Sequence, residues 1–186
     1  MGRGKLIVIS GASGVGKGTV LGKMMEKRKD LQFSVSATTR PPRPNEVDGV
    51  HYYFITKERF QDMIAKGEFL EYDAHAANYY GTPRHQAEEK CRKGHVLLDI
   101  EPKGAAQVRK ADPDAVLIFI MPPSMQELER RLRGRGDTPE DQIALRMERA
   151  IWEMEQRGWY DYVGVNDDAD RCADEILHIL SELEEK

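Results

Sequence analysis

Four apolar residues, Leu6-Ile7-Val8-Ile9, lead almost directly into Gly11-Ala12-Ser13-Gly14-Val15-Gly16-Lys17-Gly18-Thr19, and an amphipathic segment begins near Lys17. A buried strand, a glycine-rich turn and a helix start, in that order, form the context that a phosphate-binding loop requires. Glycines let backbone N–H groups turn towards an anion without a Cβ in the way. The helix N-terminus adds the positive end of its dipole, and Lys17 adds a full charge near the β- and γ-phosphates. Gly18 departs from the usual pattern, because a Ser or Thr hydroxyl normally stands there as a magnesium ligand. Thr19 is then the nearest hydroxyl for the metal.

A single domain with a small insertion suits 186 residues, and an apolar fraction of 40% suffices for a buried core. The longest apolar run, Val116–Met121, is too short to cross a bilayer. The N-terminus has no apolar signal stretch. Cys91 and Cys172 fit no metal-ligand spacing, and neither do the five histidines, so a reduced, cytoplasmic protein without structural zinc is expected. A net charge of −4 argues against a general nucleic-acid binder. Yet every basic residue from Arg130 to Arg149 is arginine: Arg130, Arg131, Arg133, Arg135, Arg146 and Arg149. An acidic chain with an arginine-only segment is suited to a small polyanion.

Strand-like runs alternate with helical stripes, which predicts an α/β fold with a mostly parallel sheet and helices on both faces. Strands are expected at Phe33–Ala37, Val50–Ile55, Phe69–His75, His95–Ile100, Ala115–Met121 and Tyr162–Val165. Asn78–Gly81 reads as a turn, with Thr82-Pro83 opening a helix in cap-then-proline order. Thr56 is expected to cap a helix that carries Phe60, Met63 and Ile64 inward and ends at Gly67. Ser124 to Glu127 has capping-box spacing for a helix burying Met125, Leu128 and Leu132. A long helix after Thr138-Pro139 carries Ile143, Met147, Ala150 and Met154. Ala169, Ala173, Ile176, Leu180 and Leu183 line a last helix.

A phosphate loop indicates a nucleotide without indicating its use. Between Thr38 and Pro44, Arg40 and Arg43 sit on a proline-stiffened segment, so their guanidinium groups lose little freedom on binding. Each can present a fork of donors to a phosphate. From here the chain closely resembles guanylate kinase, a P-loop nucleoside monophosphate kinase. The resemblance runs through Ser34–Arg43, Gly67–Glu71, Asn78–Thr82, Leu97–Ile100, Leu132–Gly136 and Val165–Asp167, and so covers nearly the whole chain in order.

That resemblance implies a P-loop NTPase fold with a small GMP-binding α/β insertion and a helical lid. Its expected division is a core at about 1–33, 83–125 and 160–186, a GMP-binding region at about 34–82 and a lid at about 126–159. Ser36, Glu71 and Thr82 fall at guanine-recognising positions. A carboxylate suits guanine because N1–H and the exocyclic amino group are adjacent donors, a pair that adenine lacks. Arg40, Arg43, Tyr52 and Tyr80 match ligands of the GMP phosphate, whereas Tyr79 is expected to pack. Asp99 ends a strand beside the metal or a substrate-binding arginine, with Glu101 two residues on. Arg131, Arg135 and Arg146 match lid arginines that neutralise charge on the transferring phosphoryl group. Arg130, Arg133 and Arg149 suit surface salt bridges.

Asn166 resembles an adenine-side contact, while Asn-Asp is also a good turn. The implied activity is transfer of a phosphoryl group from ATP, with magnesium, to GMP and to dGMP, in purine nucleotide recycling. Small molecules are its partners, with no nucleic acid or membrane, and the chain is monomeric or homodimeric. A peptide-binding scaffold module of the same fold would have no use for Gly16-Lys17 or the arginines. Gly16-Lys17-Gly18-Thr19 also resembles adenylate kinase, but Glu71 and Ser34–Arg43 favour guanine.

Overall fold

The structure, a computed structural model, describes residues 4–75, 77–134 and 139–185. Its strands are β1 (Leu6–Gly11), β2 (Gln32–Phe33), β3 (Ala37–Thr38), β4 (Tyr53–Phe54), β5 (Phe69–His75), β6 (Asn78–Pro83), β7 (Val96–Asp99), β8 (Val116–Met121) and β9 (Tyr162–Val165). The helices are α1 (Lys17–Lys27), α2 (Lys57–Ala65), α3 (Arg84–Cys91), α4 (Pro102–Ala111), α5 (Met125–Arg133), α6 (Glu140–Glu155) and α7 (Ala169–Glu184). One five-stranded sheet has the order β2-β7-β1-β8-β9, with β2–β7 and β8–β9 parallel. A four-stranded sheet has the order β4-β3-β6-β5. The chain divides into two compact units, Met1–Val8 with Asp30–Val116 and Ile9–Lys29 with Leu117–Lys186.

Strand β1 is buried along its whole length and β8 nearly so. Such continuous apolar runs belong in the interior of a mostly parallel sheet with both faces covered. In the second unit α1 turns Val20, Leu21 and Met24 inward, and α7 does the same with Cys172, Ala173, Ile176 and Leu180. Lys27 joins these two helices through Asp174 at 2.7 Å. In the first unit Ala37, Phe60, Met63 and Phe69 form a separate core under the four-stranded sheet. The Phe60 ring stacks on Phe69 at 4.4 Å and on Tyr79 at 5.3 Å, which gives Tyr79 its packing role. No helix among the described residues is long and apolar enough to cross a membrane.

The expected caps form. Thr56 Oγ1 accepts from Arg59 N–H at 3.2 Å, and Ser124 Oγ accepts from Glu127 N–H at 3.1 Å. Gly67 closes α2 with φ +66°, a conformation that favours glycine.

Five local expectations fail. Phe33–Ala37 divides into β2 and β3, which lie in different sheets; Ser34 N–H still donates to Leu97 O at 2.9 Å before the chain departs. Val50–Ile55 contributes only Tyr53–Phe54. Asn78–Gly81 is a strand rather than a turn, because Tyr79 and Tyr80 gain more from cross-strand packing than Asn and Gly gain from turning. The reversal falls beside Ala77, at φ +64°. Thr82 therefore caps nothing: Pro83 precedes α3, and the Thr82 hydroxyl bonds Glu71 instead. Met125, in the first turn of α5, is 37% exposed rather than buried.

Candidate active site

Gly11 through Thr19 link the end of β1 to the start of α1. Gly14 and Gly16 adopt φ of +85° and +89°, so glycine is needed at both positions. Packing adds a second reason: a Cβ on Gly14 would lie 2.5 Å from Leu132 Cδ2. One on Gly16 would lie 2.8 Å from Asn166 Nδ2, and one on Gly11 2.7 Å from Ile120 O. Ala12 and Val15 are buried, and Val15 N–H donates to Ala12 O at 3.0 Å. Lys17 opens α1, with Gly18 and Thr19 exposed beside it.

The loop is gripped by side chains from far along the chain. Asn166 Nδ2 and Arg131 Nη1 both donate to Val15 O, at 2.8 and 3.0 Å. Ser13 N–H donates to Glu153 Oε2 at 2.9 Å. Arg131 also donates through Nε to Glu127 at 2.7 Å. Residues with separate expected roles, Arg131 towards the phosphoryl group and Asn166 towards adenine, thus meet on one loop carbonyl. Arg146 is half-buried on α6. Arg135 lies outside the described residues, and α5 ends before it, with Gly134 as C-cap. Arg130 pairs with Glu127 at 2.7 Å, Arg133 with Glu129 at 2.8 Å and with Glu140, and Arg149 with Glu153 at 3.1 Å. Two arginine contacts hold the Glu127 carboxyl down at about 2, Arg130 first and then Arg131.

In the other unit Glu71 is the buried acid. It pairs in register with Thr82 across β5 and β6, and Thr82 Oγ1 donates to Oε1 at 2.6 Å. Gln107 of α4 holds the next residue on the outer edge of β5, accepting from Tyr72 N–H at 3.2 Å and donating to Tyr72 O at 2.8 Å. Gly104, in the first turns of α4, leaves room for the carboxylate: a Cβ there would lie 2.5 Å from Glu71 Oε2. Only 5% of Glu71 is exposed. Burial pushes its carboxyl up to about 7, against the hydrogen bonds from Thr82, and Asp73 and Glu101 add to the rise.

Arg40 is placed by its neighbours. It donates to both oxygens of Glu46, at 2.8 and 2.9 Å, and Arg43 N–H donates to the same carboxylate at 2.7 Å. These contacts hold Glu46 down at about 2, the Arg40 bond being the larger cause. Asn45 makes the return possible with φ +72°. The Arg40 guanidinium also lies over the Tyr52 and Phe54 rings, at 5.4 and 5.7 Å. Tyr52 meets Tyr80 edge to face at 6.1 Å. Burial raises the Tyr52 hydroxyl, and the charge of Asp99 raises it further. Arg40, Tyr52, Tyr80 and Asp99 are thus brought into one neighbourhood. Ser36 is half-buried just ahead of β3, and its carbonyl accepts from Tyr53 N–H at 2.9 Å.

The guanylate kinase family model matches residues 3–183. Over 177 residues the chain is 49% identical to a guanylate kinase of Prochlorococcus marinus, covering 95% of this chain and 96% of that one. It is 48% identical over 180 residues to a guanylate kinase of Thermus thermophilus, covering 96% and 81%. The chain belongs to the guanylate kinase family. A crystal structure of guanylate kinase from Anaplasma phagocytophilum matches with TM-score 0.80 at 35% identity, over 99% of this chain and 88% of that one.

Three polar or packing features of this guanylate kinase family member escaped the sequence. Glu46 and Glu153 are single acids among 32 acidic residues, and only the fold brings them to Arg40 and Ser13. Gly104 follows Pro102 at a helix start, where glycine carries no signal for a carboxylate 33 positions earlier.

Proposed function

We propose that the chain transfers the γ-phosphoryl group of ATP to GMP, giving ADP and GDP, and that Glu71 selects the guanine base. The observation that supports this most is a buried carboxylate held by Thr82 in the unit that also carries Arg40 and Arg43. Guanine presents two adjacent donors to two carboxylate oxygens. Adenine would leave the acid unpaired at a cost of about 1–3 kcal/mol. Ser36 and Thr82 border the base. Arg40, Arg43, Tyr52 and Tyr80 take the GMP phosphate, which would compete with Glu46 for Arg40. In this reading dGMP is a second acceptor, provided that no side chain reads the 2′-hydroxyl.

The loop Gly11–Thr19, with Lys17, takes the ATP phosphates, and Asn166 lies on the adenine side. Among the described residues no cluster of His, Cys, Asp or Glu is built to hold a metal ion. The donor set fits magnesium that arrives on the nucleotide and would neutralise phosphate charge there, held by phosphate oxygens and water with the Thr19 hydroxyl beside the loop. Arg131, Arg135 and Arg146 neutralise charge on the transferring group, a role worth about 10³–10⁵ in rate elsewhere. The acceptor oxygen of GMP is already ionised at neutral pH, so no general base is needed, and positioning and charge carry the catalysis. The three-part division into core, GMP-binding region and lid, at the boundaries expected from the sequence, belongs to this reading. An ADP-release assay with GMP, AMP, dTMP and UMP tests it. GMP should be preferred by at least tenfold, and comparable rates with AMP would refute the guanine assignment.

A further inference from the structure

We propose that Glu153 is a positioning residue for the phosphate loop: from α6 its carboxylate fixes the Ser13 amide and so sets the loop shape that receives ATP. The inference rests on the ATP reading of that loop. Glu153 is 2% exposed, the only carboxylate besides Glu71 among the buried polar residues described. A buried acid needs partners. The two recorded for it are Ser13 N–H, donating to Oε2 at 2.9 Å, and Arg149 Nε, donating to Oε1 at 3.1 Å. An ion pair alone does not explain the burial. The Arg149 side chain is 32% exposed, and this helical pair could form at the surface, whereas the carboxylate is turned inward to an amide 140 positions away.

The loop needs such a grip. Two of its residues, Gly14 and Gly16, have positive φ, and glycine holds no conformation by itself. Its buried carbonyl Val15 O is fixed by Asn166 and Arg131. Glu153 supplies the complementary grip on a donor at the other end of the turn. Together the contacts fix the loop before any phosphate arrives, and this preorganisation lowers the cost of binding.

Two conservative variants separate reach from charge. Glu153→Asp keeps the charge and withdraws the carboxylate by one methylene from Ser13. Glu153→Gln keeps the reach and an acceptor for Ser13 N–H, while Arg149 can turn to water. In steady-state assays of the full chain, Glu153→Asp should raise KM for ATP about tenfold and leave KM for GMP within twofold. Glu153→Gln should stay within threefold of wild type for both. Equal impairment of the two variants would assign the role to charge and overturn the proposal. Parallel rises in both KM values, an unchanged KM for ATP, or a Glu153→Asp protein that fails to fold while Glu153→Gln folds would each overturn it too. Failure of the ATP reading is distinguishable, because the wild-type protein would then release no ADP with GMP.

Discussion

Replacing Glu71 by Gln should make the protein more stable and a poorer enzyme, and the stability gain should depend on pH. Burial raises the Glu71 carboxyl from 4.5 to about 7. In the folded chain it therefore keeps its proton between these values, where the unfolded chain has released it. Stability from this group is fully present below about pH 4.5 and is lost as pH rises through about 7. At about 1.4 kcal/mol per pH unit, the loss comes to about 3 kcal/mol. Gln has nearly the same volume and offers Thr82 the same acceptor, but it carries no charge to desolvate. The variant should thus exceed the wild type by less than about 1 kcal/mol near pH 5 and by about 3 kcal/mol at pH 8. For a chain of this length that corresponds to roughly 6–12 °C in melting temperature. Losing a charged acceptor should lower kcat/KM for GMP about 10- to 150-fold. Thermal melts of both proteins at pH 5, 6, 7 and 8 without nucleotide check the first part, since titrating groups not coupled to Glu71 cancel in the difference. A melting-temperature gap that stays constant from pH 5 to 8 would refute the reasoning.

Gly104→Ala should separate helix propensity from the site. Alanine favours the helix by about 1 kcal/mol over glycine, yet its Cβ would fall 2.5 Å from Glu71 Oε2. We expect kcat/KM for GMP to fall at least tenfold with KM for ATP unchanged, and in a Glu71→Ala background the same change should raise the melting temperature. Gly18→Ser meets open space at the start of α1, so it should fold normally and lower the magnesium concentration for half-maximal rate; an unchanged magnesium titration would count against the hydroxyl's role as a missing ligand.

Features that depend on local chemistry were legible in the sequence. The run Leu6–Ile9 followed by glycines predicted a strand, a glycine turn and a helix start, and the Thr56 and Ser124 caps fell where their side chains predict. Elements whose identity depends on a partner were not legible. Asn78–Gly81 has turn composition, but β5 and the Phe60 ring make it a strand. Thr82-Pro83 has the pattern of a helix start, but a buried carboxylate competes for the hydroxyl. The resemblance to guanylate kinase supplied Glu71 and Arg40 as candidates, yet not the residues that hold them. Glu46 reaches Arg40 through a positive-φ Asn45, and Glu153 reaches Ser13 across 140 positions. Periodicity does not report long-range pairings of this kind.

The central claim, that the two oxygens of Glu71 read the guanine edge, is tested most directly by comparing GMP with IMP, which lacks only the 2-amino group. With the wild-type protein kcat/KM should favour GMP by about 10- to 150-fold, the worth of one hydrogen bond to a charged acceptor. With Glu71→Gln most of that preference should vanish. A variant that still prefers GMP over IMP as strongly as the wild type would show that guanine is read by another residue.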